Sequence, residues 1–98
     1  MRLYVVNIRD GMEDEWEIFE IFRTLKEAHE YVQEYIKKKT RNIIHEWAGC
    51  FRNPKAEGYS IWQQQAEKWF TYEYYNEYSH KWISNYDQIF IEIRNIWL

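Results

Sequence analysis

Residues 59–78 run Tyr59-Ser-Ile-Trp-Gln-Gln-Gln-Ala-Glu-Lys-Trp-Phe-Thr-Tyr-Glu-Tyr-Tyr-Asn-Glu-Tyr78, and the fold turns on how they are read. Ser60 and Gln63 have the spacing of a capping box, in which hydroxyl and side-chain amide satisfy N–H groups that a helix leaves unpaired at its start. Behind them Ile61, Trp62, Gln65, Ala66, Trp69 and Phe70 recur at intervals of three and four, which predicts a helix from Ser60 to about Phe70. From Thr71 to Ser84 the aromatic run Tyr72, Tyr74, Tyr75, Tyr78 and Trp82 fits either a continuation of that helix or an aromatic strand and loop, and periodicity alone leaves both open.

Working outward, Cys50 to Gly58 contains Pro54 and reads as a loop. On the other side Ile89, Ile91 and Ile93 alternate with Phe90, Glu92 and Arg94, which predicts a strand over 87–95 with one buried face. Upstream, Thr24 and Glu27 form a second capping box, and Leu25, Ala28, Val32, Tyr35 and Ile36 keep to helical spacing. That helix either stops near Lys39 or Thr40, where Lys37 to Lys39 complement its dipole, or continues through Ile43, Ile44 and Trp47 to Gly49 as a left-handed terminator. Leu3 to Arg9 reads as an interior strand, with Tyr4, Val6 and Ile8 on one face and Leu3 and Val5 on the other. After the Asp10-Gly11 turn signal, Trp16 to Phe22 reads as its antiparallel partner. The expected order is β-β-α-α-β: one α+β domain over 1–98, with two helices packed on one face of a small, mainly antiparallel sheet.

Composition limits the function classes. The chain has 98 residues, 20% of them aromatic, with 13 basic and 16 acidic side chains and one cysteine. At this size each ring matters, because a large aromatic buries roughly 150–250 Å² and can replace the staples that small domains otherwise need. A lone Cys50 forms no internal disulfide, and no Cys/His set has zinc-finger spacing. A net charge of −3 gives no general attraction to nucleic-acid phosphate, and no apolar run approaches the roughly 20 residues of a membrane span. The start shows no apolar leader, so an unprocessed soluble protein of the cytoplasm is expected.

The front of the chain resembles a group of small uncharacterised phage and bacterial proteins. The likeness rests on the opening strand Leu3-Tyr4-Val5-Val6, the Ile21-Phe22-x-Thr24 step into a helix with Ala28, and a short acidic closing strand. It covers residues 2–38 and 87–94, and residues 50–86 look like an insertion into that pattern. The resemblance implies a β-hairpin–helix–strand frame and a phage setting, in the host cytoplasm, with no catalytic residue to carry over. A preference for amino acids with AT-rich codons agrees with such a source.

No pattern of catalytic chemistry emerges. His45 and Cys50 are five apart, a spacing that does not aim them at each other, and a small residue after a helix is the plainer reading of Cys50. Gly11, Gly49 and Gly58 stand singly and build no phosphate loop. No metal or cofactor is expected. The aromatic surplus is the informative feature, because exposed Tyr and Trp supply contact area at low entropic cost. Tyr72, Tyr74, Tyr75, Tyr78 and Trp82 are the expected contact surface for a host protein or a second copy, with Asp14, Glu15 and Glu17 as an acidic edge. Between Tyr59 and Tyr78 only Lys68 is basic, against Glu67, Glu73 and Glu77, which favours a protein partner over nucleic acid. The expectation is a non-catalytic interaction protein that binds and inhibits a host protein. The alternative is a nucleotide sponge that stacks its ligand between rings, with Arg52 or Lys55 countering phosphate.

Overall fold

Where alternation and a turn signal agree, the hairpin forms: β1 (Arg2–Asp10) pairs antiparallel with β2 (Glu15–Phe22). The computed structural model describes the backbone of residues 1–12, 15–62 and 65–96, without the side chains of residues 15–17, 58–62 and 65–66. Next come helix α1 (Leu25–His45) and strands β3 (Phe51–Trp62), β4 (Gln65–Asn76) and β5 (Lys81–Asn95). All strand neighbours are antiparallel, in the order β2-β1-β5-β4-β3.

This overturns the expected β-β-α-α-β arrangement with two helices. Among the described residues there is one helix on a five-stranded sheet, and the described residues of the segment read as a second helix, 60–62 and 65–70, belong to β3 and β4. The stretch obeys two periods at once. Trp69, Thr71, Glu73 and Tyr75 fall on one side and Lys68, Phe70, Tyr72 and Tyr74 on the other, an alternation masked by the three-and-four spacing of Trp62, Ala66, Trp69 and Phe70. Ring-rich and β-branched residues lose rotamer freedom against a helix's preceding turn and fit a pleated surface instead. β5 then gives β4 a continuous partner from Gln65↔Glu92 to Asn76↔Lys81. Residues 50–58 are corrected as well, since the strand begins at Phe51. Pro54 is tolerated because β3 is an edge strand and the ladder slips between Arg52 and Lys55, leaving a bulge where Asn53 takes a left-handed φ of 56°.

The helix starts at Thr24 as expected, with the hydroxyl half of the predicted box formed and the Glu27 carboxylate bound to the hydroxyl instead of a backbone N–H. The Thr24 hydroxyl accepts from the Glu27 N–H at 3.2 Å and donates to the Glu27 carboxylate at 3.0 Å. It runs unbroken past Lys39, and its C-cap is Glu46, in a right-handed conformation, rather than Gly49. Because β2 and β3 are opposite edges, α1 must carry the chain across the whole sheet. Its 21 residues reach about 31 Å, more than the roughly 19 Å width of five strands. Ala28 and Val32 pack with Val6, Ile8, Ile89 and Ile91, while Ile43 meets Phe70 and Tyr72 further along. Among the described residues no helix lies on the other face of the sheet. No helix among the described residues is long and apolar enough to cross a membrane.

Candidate functional site

On the helix-covered side, an aspartate interrupts the apolar row of β5. Asp87 shares a face with Ile89 and Ile91 and is 0% exposed. A buried carboxylate is costly unless donors meet it, and here they come from three other parts of the fold. Tyr35 Oη donates to Oδ2 at 2.7 Å, Tyr72 Oη to Oδ1 at 3.0 Å, and the Gly11 N–H to Oδ1 at 3.1 Å. Lys39 Nζ lies 3.1 Å from Asp87 Oδ2 and 3.2 Å from Asp10 Oδ2, and its charge sits 5.4 Å from the Tyr72 ring centre and 5.7 Å from that of Trp47. Asp10 also accepts from the Met12 N–H at 2.8 Å, closing the turn after β1. Burial, and then the charge of Asp87, pushes the ionisation of both phenols far above its ordinary range. At neutral pH they are hydrogen-bond donors, not bases or nucleophiles. Chemically this is a closed clasp that pins the middle of α1 to β1, β4 and β5.

The helix-free side is different. Leu3, Val5, Asn7 and Arg9 of β1 face outward with Phe19 and Ile21 of β2 and with Tyr86, Gln88, Phe90 and Glu92 of β5. Phe19 is 56% exposed and Ile21 52%, whereas Val5, paired with Ile21 and Glu92, is buried although no helix covers it. Towards β3 the face mixes rings, among them Tyr75, Trp82 and Tyr86, with polar side chains. Thr71 and Ser84 form the floor of a hollow of about 540 Å³ bordered by Lys55, Glu57, Glu73 and Tyr86, and the Tyr86 side chain is 47% exposed. On the other flank of Tyr86 lies a smaller hollow of about 110 Å³, lined by Arg9, Gly11 and Gln88. A Cβ on Gly11 would stand 2.1 Å from the Tyr86 carbonyl oxygen, so only glycine lets the turn lie this close to β5.

The rings expected to form one contact surface are divided among three places. Tyr72 is 2% exposed and belongs to the core and the clasp, so it cannot touch a partner. Tyr74 shares its face, in register with Phe51 and Ile83. Tyr75 and Trp82 pair on the opposite face, edge to face at 5.4 Å. Tyr78, 98% exposed, sits in the turn between β4 and β5. Of the acidic edge, Asp14 lies outside the described residues, and Glu15 and Glu17 lie in β2 with side chains outside the description. The two cations proposed for phosphate are engaged: Arg52 Nε is 2.7 Å from Glu73 with its guanidinium 4.1 Å from the Trp82 ring centre, and Lys55 is 3.8 Å from Glu57. His45 ends α1 and Cys50 precedes β3, both exposed. The sequence reading missed the clasp, although two charges on apolar rows marked it: Asp87 among isoleucines and Lys39 on the helical stripe of Val32, Tyr35 and Ile43.

Compared with family models, with curated proteins and with solved structures, the chain finds no match.

Proposed function

We propose that the chain is a non-catalytic protein-recognition module, of phage or mobile-element origin, that binds a host protein through the β2 end of the helix-free face. One observation carries the reading: Phe19 and Ile21 stand more than half exposed side by side on an edge strand, against a buried Val5. Large apolar side chains grouped on a rigid sheet are the usual make-up of a recognition surface. Between Asp10 and Phe22 the sequence carries six acids and no base, which adds long-range attraction for a basic partner. The clasp supports the same reading from the other side, because its carboxylates and phenols are all committed to one another.

A photo-crosslinking residue placed at position 19 or 21 should capture the same partner, and one at Lys37 on the exposed side of α1 should not. Phe19→Ser with Ile21→Ser should abolish capture while the melting temperature stays within a few degrees. Equal capture from position 37, or capture that survives the double substitution, would refute the surface.

A further inference from the structure

The β3 side of the same face has the chemistry of a ligand site distinct from the Phe19–Ile21 surface. We infer that the hollow bordered by Tyr86 binds a short, uncharged saccharide. Its volume of about 540 Å³ lies within the range of roughly 300–1,000 Å³ usual for small-ligand sites. Three features of its construction define the ligand.

The first is the backbone. The β4 part of the floor is already in register on both sides, Thr71 with Tyr86 and Lys55, and Glu73 with Ser84 and Arg52, while Ser84 and Tyr86 of β5 pair with β4. Over Thr71 and Glu73 an extended peptide has no free ladder to join, so what enters above them is read by side chains. The second is charge. Lys55 lies 3.8 Å from Glu57 and Arg52 2.7 Å from Glu73, so among the described residues of the border each cation has an acid beside it and the hollow carries no excess positive charge to favour a phosphate or carboxylate group.

The third is the arrangement of acceptors and donors around a ring. Arg52, stacked over Trp82, and Asn53 both donate to Oε2 of Glu73, at 2.7 and 2.8 Å, which fixes the carboxylate and leaves Oε1 to accept from a ligand hydroxyl. Asn53 reaches that position from its left-handed backbone in the β3 bulge, a conformation an ordinary residue adopts at a cost. Thr71 donates its hydroxyl to Lys55 O at 3.2 Å and keeps its lone pairs available, and Ser84 brings a second hydroxyl to the floor. Tyr86 presents a half-exposed ring beside them. A held carboxylate, hydroxyls that both give and take, and an aromatic surface for C–H faces together match a pyranose, which carries hydroxyls at its rim and apolar C–H groups on its faces.

The test is a titration of the ¹⁵N-labelled protein with cellotriose, chitotriose and maltotriose, each to about 10 mM, the range in which shallow sites saturate. At least one should give saturable shifts at the amides of Thr71, Ser84 and Tyr86. Tyr86→Ala and Glu73→Gln should each weaken that binding about tenfold or more, with dispersed spectra that show both variants folded, and Tyr78→Ala should leave it unchanged. The inference is overturned if none of the three sugars gives saturable shifts at those amides. It is equally overturned if folded Tyr86→Ala binds as tightly as the parent, or if inorganic phosphate shifts the same amides with equal or higher affinity. Crosslinking at position 19 is a separate measurement, so failure of either site leaves the other standing.

Discussion

Among the described residues Asp87 is the charged side chain that is fully buried in the core. A carboxylate in line with Ile89 and Ile91 has to be met inside the protein, and Gly11, Tyr35, Lys39 and Tyr72 converge to meet it. The arrangement makes stability sensitive to alkali, and the sign is defined. Tyr35 and Tyr72 have folded-state pKa values raised above the unfolded value, so their contribution is complete below about pH 10. Above it the unfolded chain releases two protons that the native state keeps, and stability falls by up to about 1.4 kcal/mol per pH unit for each phenol. Urea midpoints measured from pH 8 to pH 11 should show this decline. Tyr72→Phe should remove part of the slope, to which Tyr31, also raised, contributes as well, while lowering stability at pH 8, because Asp87 loses a donor; an unchanged slope would contradict the assignment. In the sequence the members of this clasp are visible only as flaws in two apolar patterns. Their pairing is not visible, since Tyr35 and Asp87 lie 52 residues apart and nothing local relates them.

Elements were legible where a local signal was reinforced by its neighbours. The Thr24 cap, the stripe Ala28, Val32 and Ile36, and the Asp10-Gly11 turn all specify their own conformation within a few residues, and each appears in the fold. The segment around Trp62 to Phe70 carries two compatible periods, and the strand prevails through a partner, β5, that the segment itself does not contain. Pro54 misled in a related way, because a proline argues against a strand only where the strand has neighbours on both sides. The turn after β1 offers a direct test of a close approach. Gly11→Ala would place its Cβ 2.1 Å from Tyr86 O and 2.6 Å from Asn85 Oδ1, whereas Gly49 has nothing within 4 Å. Gly11→Ala should therefore cost at least about 1–3 kcal/mol and lower the melting temperature by several degrees. Gly49→Ala should stay within about 0.5 kcal/mol of the parent; equal effects in the two variants would show that the approach of the turn to β5 is not as described.

At the scale of the whole molecule, the sheet consists of two hairpins, β1–β2 and β3–β4, joined only through β5 in the middle. An α+β domain was legible from composition and pattern. The strand order was not, because it depends on pairing Arg2 with Asn95, a contact between distant parts of the chain. Hydrogen exchange should follow this order. Amides of β5 between Gln88 and Glu92, flanked by β1 and β4, should open only with global unfolding, while those on the outer edges of β2 and β3 exchange earlier; earlier exchange in that part of β5 than at the edges would contradict the topology. The middle strand is also the last of the five to be synthesised. Until residues 81–95 leave the ribosome, the nascent chain holds two finished hairpins whose inner strands, β1 and β4, each offer a bare edge to any neighbouring chain. Until β5 has emerged and paired, those two edges are open to pairing with neighbouring chains, the kind of exposure that favours aggregation.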